Sequence, residues 1–156
     1  MTNAATALKN LGFDLPDVAP PLFNYVPYVI SGSLVFIAGQ VPFLNGQKMH
    51  LGRLGENMDV AAGQKAAQIC ALNILANLRD AVAGDWSRVV RCIKLGGFVN
   101  STPDFTDQSL VINAASDLMV AALGERGKHA RFAVSAPSLP AGASVEIDAV
   151  FEITPV

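Results

Sequence analysis

The stretch Ala130–Glu152, ARFAVSAPSLPAGASVEIDAVFE, reads as two strands joined by a Pro- and Gly-containing connection. In its second half Val145, Ile147, Ala149 and Phe151 fall on one face and Glu146, Asp148 and Glu152 on the other. That alternation belongs to a half-buried strand whose apolar face needs a second layer to cover it. The first half sets Arg131 near the start of its strand. A guanidinium that stays charged at neutral pH, in apolar surroundings, is also a ready receptor for a small carboxylate.

Two helices upstream supply the covering layer. From Asp59 onward, Ala67, Cys70, Ala71, Ile74, Leu75, Leu78 and Val82 recur with the 3.6-residue period, and Gly84 follows as a stop. A second helix is expected from Thr106 to Leu123, with Leu110, Val111, Ala114, Leu118, Ala121 and Ala122 on its inner face and Gly124 ending it. Between them Asp85-Trp86-Ser87 turns the chain into a strand from Arg88 to Val99. There Val89, Arg91, Ile93 and Leu95 alternate with Val90, Cys92 and Lys94, and Gly96-Gly97 is expected to bend or bulge the strand.

Tyr28–Ile30 and Leu34–Ala38 read as a hairpin turned by Ser31-Gly32-Ser33, with LVFIAG as a buried central strand. Residues Val41–Asn57, carrying Pro42, Asn45-Gly46, Gly52 and Gly55, read as a loop with room for a short strand. Asn3 caps a short helix, ATALKNL, which Gly12 stops, and Asp14–Pro21 forms an extended arm. Residues 1–22 are thus an N-terminal helix and arm on a single 156-residue domain. The order ββ(β)αβαββ predicts an α+β fold of two layers, one sheet with helices on one face.

Hydrophobic residues make up 51% of the chain and charged residues only 15%, against about 25% in an average soluble protein. An isolated monomer would expose much apolar surface, so a homo-oligomer is expected. The net charge is −2 and no Lys/Arg block occurs, so no nucleic-acid partner is expected. No run reaches about 18 apolar residues, and the N-terminus lacks the basic start and apolar core of a secretory signal. Cys70 and Cys92 stand singly in apolar segments, as buried reduced thiols do. The expectation is a soluble cytoplasmic protein without membrane association.

The chain has two histidines, His50 and His129, and neither has a second ligand at metal spacing, so no metal site is expected. There is no G-x-S-x-G elbow, and Gly96-Gly97-Phe98 lacks the remaining residues of a dinucleotide or phosphate loop. Arg131 and Glu146 remain. On the residues alone they are open between a structural ion pair, solvated edge residues and a ligand site.

An ordered set of short motifs supplies a resemblance that favours the last. Ala38-Gly39-Gln40-Val41-Pro42 ends a strand; Asp104-Phe105 precedes a helix carrying Asn113; Ala130-Arg131 opens the next strand; Leu139-Pro140 precedes Val145-Glu146-Ile147-Asp148. From about Tyr25 to Ile153 the chain resembles the YjgF/RidA family of reactive-intermediate deaminases, and the spacing from Arg131 through Leu139-Pro140 to Glu146 matches the family without a gap. The resemblance implies a chorismate-mutase-like fold, one mixed sheet packed on two helices, assembled as a homotrimer with sites at subunit interfaces. It implies cofactor-independent hydrolytic deamination of small enamine or imine carboxylates such as 2-aminoacrylate or 2-iminobutanoate. Arg131 would clamp the carboxylate and Glu146 would hold or activate water.

By the same resemblance Tyr25 is a pocket residue supplied across the trimer interface, and Gly39, Asn113 and Ala133 line the substrate. Ring packing for Tyr25 and a helix-surface amide for Asn113 are equally open readings. Ala133 stands where many members carry a cysteine and Ala38 where serine is usual, so at Ala133 only backbone donors are available. The extra N-terminal helix and the enlarged Pro42–Asn57 loop resemble a divergent branch. A non-catalytic carboxylate-binding or regulatory protein of the same fold is the alternative, and the ribonuclease activity ascribed to some relatives ranks below both.

Overall fold

The computed structural model describes residues 3–20 and 23–155. Pro21 and Leu22, the end of the expected arm, lie outside the described residues. Helix α1 (Ala4–Asn10) opens with the Asn3 side chain accepting the Ala5 N–H at 2.9 Å, and it buries Ala4 and Leu8. The arm from Phe13 to Pro20 has no regular structure. β1 (Tyr28–Ser31) and β2 (Leu34–Gln40) form the expected hairpin. Within the following loop a second, two-residue hairpin forms from β3 (Phe43–Leu44) and β4 (Gln47–Lys48).

Helix α2 (Val60–Ala81) starts at Asp59, whose Oδ1 accepts the Ala62 N–H at 2.8 Å. That bond satisfies an N–H with no partner inside the helix. Asp59→Ala is therefore expected to cost about 1 kcal/mol and to lower the urea midpoint without changing the slope of the transition.

β5 (Val89–Asn100), α3 (Gln108–Leu123), β6 (Ala130–Ala136) and β7 (Val145–Ile153) complete the chain. The five-stranded sheet runs β1-β2-β7-β5-β6, antiparallel except for the parallel β5–β6 pair. Helices α2 and α3 pack together and cover one face, and α1 packs on α3. The expected α+β architecture of a mixed sheet with helices on one face is present, with α1 as a third helix. Between the layers lie Ile74, Leu75 and Leu78 of α2, Ile112 and Met119 of α3, and Leu95, Ile147 and Phe151 of the sheet, all fully buried.

Four details differ from the sequence reading. First, the two strands of the Ala130–Glu152 stretch are not neighbours, because β5 lies between them. β5, the longest strand, offers backbone partners to both, in parallel with β6 and antiparallel with β7.

Second, Gly96-Gly97 is not a bulge. These residues pair regularly with Asp148 and Ile147, while the irregularities of β5 fall at Val89/Arg91 and Cys92/Lys94. The glycines instead allow close approach: a Cβ on Gly97 would press into Ile112 of α3, and one on Gly96 into Asp148 and Phe132. The displaced bulges also change the phase of the alternation, so Cys92 is buried and Ile93 exposed.

Third, β2 is an inner strand with only one buried face. Val35 and Ile37 are in the core, but Phe36 is 44% exposed on the other side. Fourth, the inner face of α3 differs in part: Val111, Leu118 and Ala122 are buried as expected, but Leu110 and Ala121 are exposed, and Ile112, Ala115 and Met119 complete the face. The apolar residues form a broad arc opposite the polar flank of Ser109, Asn113, Ser116 and Asp117, so periodicity alone does not fix its edges. The space above Gly97 does.

Cys70 and Cys92 are buried and unpaired. Burial pushes both thiols up, that of Cys92 to about 12. No helix among the described residues is long and apolar enough to cross a membrane.

Candidate functional site

The sheet face away from the helices is uncovered in one chain. Val29, Phe36, Phe98 and Val134 are exposed, alongside the carboxylates of Glu146 and Asp148. Arg131 lies on the opposite face. It stands beside Leu95 in the parallel register, and in-register residues of parallel strands share a face.

Being on the edge strand, Arg131 reaches along the flank of α3. Its Nη1 donates to Ser116 Oγ at 3.0 Å and, at 3.5 Å, to Asn113 Oδ1, while Nη2 donates to the Ser109 carbonyl at 3.3 Å. All three partners are neutral. The ion pair formed among the described residues is Lys128–Glu125, and no carboxylate pairs with Arg131. Of the five guanidinium hydrogens, Nε–H and one on Nη2 remain unused by these contacts. Asn113 is held in turn, its Nδ2 donating to Asp117 Oδ2 at 3.2 Å. Ala133, two residues along β6, pairs with Gly97 and packs against the core on the same face as Arg131.

Glu146 pairs with Phe98 and faces the uncovered side. Gly39 lies in the irregular stretch of β2 between Ile37 and Gln40, directly over the glutamate, and a Cβ there would run into Glu146 Oε1. A side chain at this position would make the carboxylate swing aside from where it now lies. Burial raises the Glu146 carboxyl above its ordinary value, and the neighbouring charge of Asp148 raises it further. Such a group exchanges protons closer to neutral pH than a solvated carboxylate.

The structure therefore groups the sequence candidates into separate sets. Arg131, Asn113 and Ala133 belong to the helix-facing side of β6, and Glu146 and Gly39 to the uncovered side of the sheet. Tyr25, 52% exposed, precedes β1 on the edge of the sheet opposite β6. A single chain does not bring these sets together. Ser116 and Ser109 were not singled out from the sequence, and His129 was weighed there only as a metal ligand. Ser116 is one helical turn from Asn113, a spacing that puts both on one flank of α3. Among the described residues, no group of three His, Cys, Asp or Glu is placed to hold a metal ion. A surface groove of about 370 Å³ lined by Leu11, Phe13, Gln68 and Leu118 includes neither Arg131 nor Glu146.

Residues 5–152 match the family model described as "YjgF/chorismate mutase-like, putative endoribonuclease". Protein TCP17 of Trypanosoma cruzi is 46% identical over 150 residues, covering 96% of this chain and 93% of that protein. The crystal structure of protein Atu1372 from Agrobacterium tumefaciens, of unknown function, is 51% identical and superposes with a TM-score of 0.91, covering 97% of this chain and 92% of that one. The crystal structure of a protein from Shewanella oneidensis, designated a "putative endoribonuclease", is 32% identical with a TM-score of 0.93, covering 97% of this chain and all of that one. With both its sequence and its fold matched over nearly the whole length, the chain belongs to the YjgF/RidA family.

Proposed function

We propose that this protein is a cofactor-independent hydrolase that deaminates small enamine or imine carboxylates at sites completed between copies of the chain. The observation that carries this reading is Arg131: a half-buried guanidinium with neutral partners, no counter-ion among the described residues and two donors left unused. A planar carboxylate satisfies both the charge and the fork.

Glu146 supplies the proton chemistry. As carboxylate it takes a proton from water while the water oxygen adds to the C=N carbon; it then delivers that proton to nitrogen. In the resulting carbinolamine the hydroxyl proton passes to the amine nitrogen, the C–N bond breaks, and ammonia leaves the 2-oxo acid; an enamine substrate first becomes the imine by moving a proton from nitrogen to its β-carbon. Its raised affinity for protons suits both halves of the exchange. Because Arg131 and Glu146 lie on opposite faces of one sheet, the proposal assigns them to different chains at each site. The uncovered apolar face of the sheet, which a monomer would leave in water, supports assembly through that surface as a homotrimer.

The test is ammonia release from freshly generated 2-aminoacrylate, with sedimentation of the same preparation. Release above the buffer rate by an oligomer is the expected result. Rates equal to buffer in an intact oligomer would leave the carboxylate-binding, non-catalytic reading, which calorimetry with small carboxylates then measures. The ribonuclease designation of the Shewanella relative favours one further assay, cleavage of single-stranded RNA. The acidic net charge and the absence of a Lys/Arg block predict no cleavage.

A further inference from the structure

Behind Arg131 runs a chain of hydrogen bonds that the proposed chemistry does not itself require. His129 sits just before β6, with Nδ1 2.6 Å from the Gly127 carbonyl and Nε2 2.9 Å from Ser116 Oγ. Ser116 Oγ is also 3.0 Å from Arg131 Nη1. With the ring neutral, the groups themselves set the directions of these bonds. A carbonyl oxygen only accepts, so Nδ1 carries the hydrogen, and in the neutral ring Nε2 is then an acceptor. Arginine only donates, so Ser116 Oγ accepts from Nη1 and turns its own hydrogen to Nε2. Every donor meets one acceptor from the guanidinium through Ser116 and His129 to the backbone of the turn at Gly127.

We infer that Ser116 and His129 are positioning residues for the carboxylate clamp, with His129 held as the Nδ1–H tautomer so that Ser116 offers its lone pair to Arg131. The inference rests on the carboxylate-clamp reading of Arg131. Neither residue touches the ligand. Their effect is on the guanidinium plane: Nη1 is tied to Ser116 and Asn113 and Nη2 to Ser109, which aims Nε–H and the remaining Nη2 hydrogen away from α3 as a preformed fork. A flexible arginine would lose rotamer freedom on binding, and this chain of bonds removes that loss in advance.

The experiment is pyruvate binding by calorimetry and imine-hydrolysis kinetics for wild type, Arg131→Ala, Ser116→Ala, Ser116→Thr and His129→Leu, with ¹⁵N spectra of the histidine rings. Only two histidines are present, so His50→Gln assigns the spectrum. Ser116→Ala and His129→Leu are expected to weaken pyruvate binding and raise KM by about three- to tenfold with kcat little changed. Ser116→Thr, which keeps the hydroxyl, should stay within about twofold of wild type. Wild-type His129 should show the Nδ1–H pattern, and Ser116→Ala should shift its Nε2 resonance.

If Arg131→Ala abolishes binding while Ser116→Ala and His129→Leu bind like wild type, the positioning role is overturned and the clamp stands. If Arg131→Ala binds pyruvate as wild type does, the clamp itself fails. An Nε2–H pattern for wild-type His129 overturns the inference even where a variant does not fold.

Discussion

Arg131→Ala is expected to lower kcat/KM for 2-aminoacrylate hydrolysis by about 10²- to 10⁴-fold and to abolish measurable binding of small carboxylates. The magnitude follows from the fork: two charge-assisted hydrogen bonds at about 1.5–3 kcal/mol each correspond to that range. The loss should fall mainly on KM, because the carboxylate is held in both the ground state and the transition state. Arg131→Lys should recover little, since an ammonium group keeps the charge but not the two parallel donors. The protein should remain folded, because the side chain is only partly buried and its partners on α3 are neutral groups near solvent. Calorimetry with pyruvate and steady-state ammonia release provide the two measurements. Wild-type values for both in the variant would remove the central residue of the proposed function.

Glu146→Gln should move activity and stability in opposite directions. Under the proposed mechanism it removes the proton carrier, an effect of about 10²–10⁴ on kcat, with pyruvate binding retained. For stability the sign follows from the raised carboxyl. The folded chain holds this proton more tightly than the unfolded chain, so the contribution is present in full below the ordinary carboxyl value. It is lost as pH rises from there through the raised folded value. Above that window the wild type carries the cost of a charge that burial and Asp148 both disfavour. The glutamine variant should therefore melt higher than wild type at neutral pH, and the difference should close on acidification.

In the wild type, kcat/KM should rise with pH through the same window, with a midpoint above the ordinary carboxyl value. A thermal scan series and a pH–rate profile test the two halves separately. Mixing the Arg131→Ala and Glu146→Gln proteins and allowing subunits to exchange should restore part of the activity, because some sites then combine an intact arginine with another chain's intact glutamate. Mixtures as inactive as their components would place both groups in one chain, against the faces they occupy here.

Much of the fold was legible from residue order. The 3.6-residue recurrence from Ala67 to Val82, with its start near Asp59, marked α2, and Ser31-Gly32-Ser33 marked the first hairpin. The alternation from Val145 to Phe151 marked β7 together with its buried face. These are local signals, set by side-chain periodicity and by the backbone preferences of capping and turn residues, and a single chain segment contains them whole.

The inner face of α3 was not local. Its apolar arc is broad, and the choice of Ile112 over Leu110 came from the space that Gly97 leaves on a strand distant in sequence. The bulges of β5 depended similarly on pairing with β7.

The site divides along the same line. Arg131 and Glu146 could be named from motif spacing, which is a property of sequence alone. Sequence reading placed them together in a two-strand unit because they are close along the chain. Only the tertiary structure inserted β5 between those strands and turned the two side chains to opposite faces. Strand insertion is decided by which pairings bury the most apolar surface and satisfy the most backbone groups, a sum over distant residues that no window of sequence carries. The neutral partners of Arg131 on α3, and the Ser116–His129 chain behind them, came from that same packing.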